Sequence, residues 1–366
     1  MINRAVFAAG GTGGHIFPAI AVADELKKIN KKAEIVFIGA KGRIEEKIVP
    51  NTGYELKTLE LRGFYRSINP KNIAVFTKFL RALKEAKKYL SNFKPDLVYG
   101  TGGFVSGPVL MAAHKFGLPT VIQEGNYYPG ITVKWLSGNA DKVILNFEGT
   151  KKFLKRQDNI EIMSYPVREN LKNYPKAEAC SFFGLNENKK VLFAFGGSQG
   201  ASSINKTLLN NLEQLNKDNI QLIWQSGEGD LEKISQAAEE YDNIKVHGFI
   251  DNIDYAYSAA DLIICRSGIS TVMELAYFGA AVVFVPFAFA SENHQEKNAR
   301  AMADAGAAEI ILDSNLQNRF YETITRLLNN EKHLESMRKS IRKFADKDAA
   351  SKIAKLLVQM TEVNLN

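Results

Sequence analysis

The stretch FAAGGTGGHIFPAIA, residues 7–21, joins an apolar run to an amphipathic one through a glycine-rich turn that ends in a histidine. Glycine directly after a strand lets the main chain approach a ligand closely, and the amides that open the next helix supply donors and partial positive charge. Three readings fit such a turn: a dinucleotide site, a nucleotide-sugar site, or a tight packing turn. Downstream, Ala19, Val22, Ala23, Leu26 and Ile29 form one helical face, with Asp24, Glu25, Lys27 and Lys28 opposite. Strand, glycine turn and amphipathic helix in that order open a Rossmann-like unit.

The plan recurs along the chain. Short apolar runs predict strands at 5–9, 34–40, 96–100, 120–124, 142–147 and 161–164, then at 191–195, 221–225, 245–249, 262–266, 281–286 and 309–312. Helical patterns separate them, which means parallel sheets with crossover helices and an α/β fold class. VLFAFGGSQGA, residues 191–201, repeats the opening motif. Two Rossmann-like domains follow, 1–165 and 166–345, joined near SYPVREN (164–170), where Pro166 interrupts the pattern. After ADKDAA (345–350), residues 346–366 read as a closing helix.

The 366 residues carry a net charge of +7 and a sequence pI near 9.1, which favours anionic partners or simply a solvated basic surface. Cys180 and Cys265 lack metal-type or redox-type spacing, as expected of buried thiols in a reducing compartment. The N-terminus reads directly into a strand, so no leader is expected. The longest apolar stretch, 279–290, is too short to cross a bilayer. No basic module of a known nucleic-acid binder is present, so no nucleic-acid partner is expected.

A dinucleotide site demands an acid at the end of the second strand, and here that strand ends FIGAKG (37–42). A P-loop is excluded, because no glycine loop ends in Gly-Lys-Ser/Thr. Instead, three loops at strand C-ends converge in the first half: GGTGGH (10–15), GTGGFVSGP (100–108) and QEGNYYPG (123–130). The second half has GFIDN (248–252), CRSGISTVMELAYFG (265–279) and PFAFASENHQEKNA (286–299). Residues 267–271 predict a helix N-terminus suited to a diphosphate, and Glu274, about one turn in, can accept from ribose hydroxyls or complement the helix dipole.

With GGTGGHIFPAIAVADEL, GGFVSGP, GGSQGASSIN, GFIDNIDYAYSAADLIICRSGISTVMEL and HQEKNARAMADAGAA in order, the chain resembles the MurG family end to end. The resemblance implies the GT-B fold, two Rossmann-like domains facing across a cleft. It also implies an inverting, metal-independent transfer of GlcNAc from UDP-GlcNAc to the MurNAc 4-hydroxyl of an undecaprenyl-diphosphate-linked acceptor, with no cofactor. The first domain would take the acceptor and the second the donor, with the closing helix packed back on the first. Carried over by motif, Phe249 and Ile250 line the uracil pocket, Glu274 holds the ribose, and Ser198, Arg168, Ile269, Ser270 and Thr271 face the diphosphate. Gln295 and Asn298 reach the sugar, Thr12, Gly13, Gly14 and Asn126 close the donor site, and Gly11, Gly102 and Gly103 face the acceptor diphosphate. The sequence departs from the family at Gln123-Glu124-Gly125-Asn126 (usually His-Glu-Gln-Asn), at Thr132-Val133 (usually Thr-Asn) and at Ser164-Tyr165-Pro166 (usually Gly-Asn-Pro).

An inverting transfer needs a base, and His15 is the first choice, with Glu124 its rival; His15 could also bind an acceptor phosphate or cap its helix. The lone Asp-x-Asp triplet, Asp346-Lys347-Asp348, lies in the charged tail and reads as a solvated face, and His15, His114, His247, His294 and His333 have no ligand spacing, so no metal site is expected. Ile73, Phe76, Leu80 and Leu83, with Phe79 beside them, sit among lysines in residues 64–90. That pattern suits an anionic membrane surface, or a helix packed on its sheet with a charged outer face. With a lipid-borne acceptor, it gives a peripheral protein on the cytoplasmic face of the bacterial cell membrane as the expected location.

Overall fold

The computed structural model describes residues 2–63, 71–168 and 171–363. The chain divides into two compact units, Met1–Glu169 with Asp346–Asn366, and Asn170–Ala345. The division falls a few residues beyond the expected 165/166 join.

The first unit runs β1 (Arg4–Ala8), α1 (Gly13–Ile29), β2 (Glu34–Ala40), α2 (Glu45–Asn51), β3 (Glu55–Leu59), α3 (Lys71–Phe93), β4 (Leu97–Gly100), α4 (Gly103–Lys115), β5 (Thr120–Glu124), α5 (Ile131–Leu136), β6 (Lys142–Leu145) and β7 (Ile160–Ile162). Its seven strands are parallel in the order β3-β2-β1-β4-β5-β6-β7. The central strands β1, β4 and β5 are buried almost throughout because helices cover both faces, and they are largely apolar, with Thr120, Gln123 and Glu124 of β5 as buried polar exceptions. Sequence reasoning missed β3, whose ELKTL is mostly exposed and reads as polar; it is the sheet edge, where charged side chains are tolerated.

The second unit runs α6 (Lys176–Phe182), β8 (Val191–Phe195), α7 (Ser202–Leu209), α8 (Leu212–Lys217), β9 (Gln221–Gln225), α9 (Leu231–Ala238), β10 (Ile244–His247), α10 (Ile253–Ala259), β11 (Leu262–Cys265), α11 (Ile269–Phe278), β12 (Val282–Phe284), α12 (His294–Asp304), β13 (Glu309–Ile310), α13 (Leu316–Leu328) and α14 (Glu331–Arg342). Its six parallel strands take the order β10-β9-β8-β11-β12-β13. Cys180 and Cys265 are free buried thiols. The closing helix α15 (Ala349–Val363) belongs to the first unit, where Ile353, Ala354 and Leu357 share a core with α1.

In both sheets the strand order reverses beside the strand that opens the unit, between β1 and β4 and between β8 and β11. Loops leaving two such strands diverge to opposite faces, so a crevice opens at their C-terminal ends. The glycine motifs sit at these two points.

Candidate active site

In the first unit, the loops after β1 and β4 are laced together through His15. The imidazole Nδ1 lies 2.7 Å from the Thr101 carbonyl oxygen, and the Thr101 hydroxyl donates back to the His15 carbonyl at 2.6 Å. A carbonyl only accepts, so Nδ1 carries the proton and the neutral ring keeps its lone pair on Nε2. Burial pushes the imidazole pKa down from its usual value; the Thr101 bond and the Glu45 charge partly oppose this. His15 therefore stays neutral at pH 7 with Nε2 able to take a proton. The ring packs on Gly102 and Gly103, both at positive φ (86° and 72°), and a Cβ on either would meet it at 3.1–3.3 Å.

The first helical residues of α1, Gly13 and Gly14, precede the first i→i−4 bond, from Ile16 N to Thr12 O, so their amides have no intrahelical acceptor. Thr12 is the exposed N-cap residue and makes no side-chain cap bond. Gly11 differs from expectation. Its amide, assigned to the acceptor diphosphate, donates to the fully buried Glu45 carboxylate at 3.1–3.2 Å, and Ala40 N donates to the same group at 2.8 Å. A Cβ at Gly10 would fall 2.2 Å from Glu45 Oε1, so this glycine is required by a protein carboxylate and not by a ligand. Glu124 is likewise committed to its own loop. Its buried carboxylate accepts from Asn126 N (2.9 Å), Asn126 Nδ2 (3.0 Å) and Gly130 N (2.8 Å), which shapes residues 124–130. Arg168 lies with its guanidinium 5.7 Å from the Phe17 ring centroid.

In the second unit, α11 opens after Gly268 with no side-chain cap bond, and Val272 N to Gly268 O is its first bond of helical spacing. Ile269, Ser270 and Thr271 thus present amides outside the helix ladder. The Ser270 hydroxyl oxygen is buried without a hydrogen-bond partner among the described residues. Glu274 is buried, with Tyr257 OH donating to it at 3.0 Å. The Ser267 hydroxyl donates to the Gln295 carbonyl at 2.9 Å, joining the N-terminal turns of α11 and α12. Gln295 Oε1 accepts from Phe287 N at 3.0 Å, which leaves Nε2 as the group it offers. Asn298, expected at the sugar, is fully buried and donates to the Ser267 carbonyl at 3.3 Å, bracing the loop from behind. Phe249 is half exposed and Ser198 is an exposed turn residue. The Ile250 amide, expected to serve uracil, donates to buried Gln225 at 3.0 Å.

Two bracing residues went unread in the sequence. Gln225 also donates to Gly197 O at 3.0 Å, tying the β8–α7 loop to the segment after β10. Arg266, only 11% exposed, bonds Val285 O (3.0 Å), Asp313 (2.7 Å) and Ser203 Oγ (2.9 Å), tying the segments after β12 and β13 and the first turn of α7 to the start of α11. A cation directly behind the apolar run LIIC was the available signal.

Residues 5–145 match the glycosyltransferase family 28 N-terminal domain and residues 191–353 the family 28 C-terminal domain. Among curated relatives, one from Thermoanaerobacter sp. (strain X514) is 39% identical over 97% of this chain and 99% of its own length, and one from Finegoldia magna is 37% identical over 98% of each. Both are called UDP-N-acetylglucosamine–N-acetylmuramyl-(pentapeptide) pyrophosphoryl-undecaprenol N-acetylglucosamine transferase. The crystal structure of Acinetobacter baumannii MurG is similar at a TM-score of 0.80 and 30% identity, over 97% of this chain and 99% of that one. The chain belongs to the MurG family. The calicheamicin glycosyltransferase CalG4, at 13% identity and a TM-score of 0.73, shares the fold alone. The fold is accordingly GT-B, with two Rossmann-like domains.

This MurG-family chain has no helix long and apolar enough to cross a membrane among its described residues. The basic, aromatic stretch divides differently from expectation. Residues 64–70 lie outside the described residues. On α3, Ile73, Phe76 and Leu80 are exposed, while Val75, Ala82, Ala86 and Leu90 are buried. Phe79 and Leu83, assigned to the outer face, are partly buried: Leu83 packs against the core and Phe79 contacts Trp135 at 6.0 Å between centroids. The exposed apolar surface of the unit also includes Ile131 and Trp135 on α5. Asp346 accepts from Asp348 N (2.9 Å) and Lys352 (2.5 Å), an Asx turn that starts α15. Among the described residues no group of three or more His, Cys, Asp or Glu side chains is placed to hold a metal ion.

Proposed function

We propose that the chain transfers N-acetylglucosamine, with inversion, from UDP-GlcNAc to the MurNAc 4-hydroxyl of the lipid-linked acceptor lipid I, giving lipid II. The observation that carries this reading is the unmet hydrogen bonding at the start of α11, where the buried Ser270 hydroxyl joins amides outside the helix ladder. Such a group needs an anion with several acceptor oxygens, as a nucleoside diphosphate has. Ser198 and Arg168 would add to that hold, Phe249 and the Ile250 carbonyl would take the uracil, and Gln295 Nε2 the sugar. Thr12, Gly13, Gly14 and Asn126 would serve the donor from the first unit, and Gly102 and Gly103 the acceptor diphosphate. His15 Nε2 would take the proton from the attacking hydroxyl as the α11 N-terminus stabilises the departing UDP.

The test is the purified chain with UDP-GlcNAc and a lipid I analogue. Equal amounts of UDP and glycosylated lipid are expected, at a rate unchanged by EDTA. Donor hydrolysis without transfer would favour the second reading, a GT-B transferase for another lipid or small molecule, which the departures at Gln123 and Gly125 suggest. Collapse under EDTA with recovery on adding a cation would overturn the helix-terminus account. Glu274→Ala is expected to raise the donor KM about 10–100-fold, from hydrogen bonds to a charged group worth ~1.5–3 kcal/mol.

Ile73, Phe76 and Leu80 support seating on an anionic lipid surface at the cytoplasmic face of the membrane. Replacing all three with serine should weaken binding to vesicles rich in anionic lipid about tenfold or more. Sedimentation with vesicles that ignores both lipid charge and salt would argue against this seating.

A further inference from the structure

The helix that carries His15 contains a defect. Pro18 lies inside α1, and a proline has no N–H. The carbonyl that an amide at position 18 would cap is that of Gly14, the residue before His15. The Tyr165 phenol donates to this carbonyl across 151 positions of sequence. Tyr165 is itself buried, and it is held from behind: its amide donates to Asn146 Oδ1 at 2.8 Å. Asn146 in turn donates through Nδ2 to Gly125 O at 3.3 Å and through its amide to Glu124 O at 3.2 Å. The turn bearing His15 is thereby connected to the loop bearing Glu124 and Asn126. Three residues on, Arg168 lies against Phe17 of the same helix. Position 165 is also one where the chain differs from the residue usual in its family.

We propose that Tyr165 is a positioning residue for the transfer reaction: by supplying the hydrogen bond that Pro18 denies to Gly14, it fixes the turn that presents His15. The proposal rests on the transferase reading above and adds to it a residue that touches neither substrate. A turn with an unmet carbonyl at its second residue shifts or frays, and a displacement of about 1 Å at a catalytic group can cost on the order of 100-fold in rate. Removal of the phenol hydroxyl alone isolates the effect, because the ring and its packing remain.

The experiment uses the full chain as parent, Tyr165→Phe, Pro18→Ala, Pro18→Ala/Tyr165→Phe, His15→Ala and His15→Ala/Tyr165→Phe. Two measurements are made: transfer kinetics, and hydrogen–deuterium exchange of the peptide covering residues 13–20. Tyr165→Phe is expected to lower kcat about 10–100-fold with donor KM within about twofold, and to speed exchange in that peptide several-fold. In the Pro18→Ala background an amide at position 18 can cap Gly14 itself, so adding Tyr165→Phe should cost less than about threefold. In the His15→Ala background it should cost nothing further. Unchanged kcat and exchange in Tyr165→Phe would overturn the proposal, as would an equal loss in the Pro18→Ala and His15→Ala backgrounds. If the parent itself transfers nothing to lipid I analogues, the functional reading fails separately. The exchange comparison between Tyr165→Phe and its Pro18→Ala double then decides whether the phenol holds the turn.

Discussion

His15→Ala is expected to reduce kcat by about 10²–10⁴-fold, the usual contribution of a positioned general base, while the affinity for UDP-GlcNAc stays within about threefold. The asymmetry follows from geometry. His15 lies in the first turn of α1, in the first unit, whereas the buried carboxylate and unmet donors suited to a nucleotide lie on α11 of the second unit. The parent should also show an acidic limb in its pH–rate profile. Burial holds the imidazole pKa below the usual 6.5, so the ring is neutral and competent above that depressed value. As pH falls through it, Nε2 takes a proton from water and can no longer accept one from the acceptor hydroxyl. The midpoint should therefore lie below 6.5, and the limb should vanish from the residual activity of His15→Ala. A variant with normal kcat, or a limb that survives the substitution, would assign the proton to another group.

What could be read from the sequence was local and periodic. The apolar runs at β1, β2, β8 and β9 alternate with amphipathic helices, and sheet position follows from them because a strand covered on both faces has few polar residues. The same rule hid β3, since an edge strand has no such requirement. On α3, a helix with two apolar stripes does not announce which one meets the sheet. Spacing grouped Leu83 with Ile73, Phe76 and Leu80, but the packing of α3 turns Leu83 toward the core. The glycine motifs located both loop clusters, yet they did not disclose which amides were already engaged. The donors of Gly11 and Ile250 are spent on Glu45 and Gln225, each distant in sequence by tens of residues, and no local pattern encodes such a partnership. The link from Tyr165 to Gly14 was hidden for the same reason.

Glu45→Ala is expected to destabilise the first unit by about 2–6 kcal/mol, because it leaves the Gly11 and Ala40 amides without acceptors at about 1–3 kcal/mol each. For a unit of this size that corresponds to a fall in Tm of about 5–20 °C. The carboxylate is fully buried and lies where the β1–α1 loop passes the end of β2, so it does for this loop what a bound phosphate does for a nucleotide-binding one. That comparison also explains why a glycine loop is needed where the Gly11 amide meets a protein carboxylate: main chain must come within bonding distance of Oε1, and the space for a Cβ at Gly10 is filled by that oxygen. Glu45→Gln should be milder than alanine, since one oxygen can still accept from both amides while the new amino group faces a donor. Glu46→Ala provides the control, being the adjacent acid of the same helix turn but exposed, and should stay within about 0.5 kcal/mol of the parent. Calorimetry on the three variants gives the order directly. If Glu45→Ala melts with Glu46→Ala, the loop owes its shape to the glycines alone, and the buried carboxylate is not what organises the ground beneath His15.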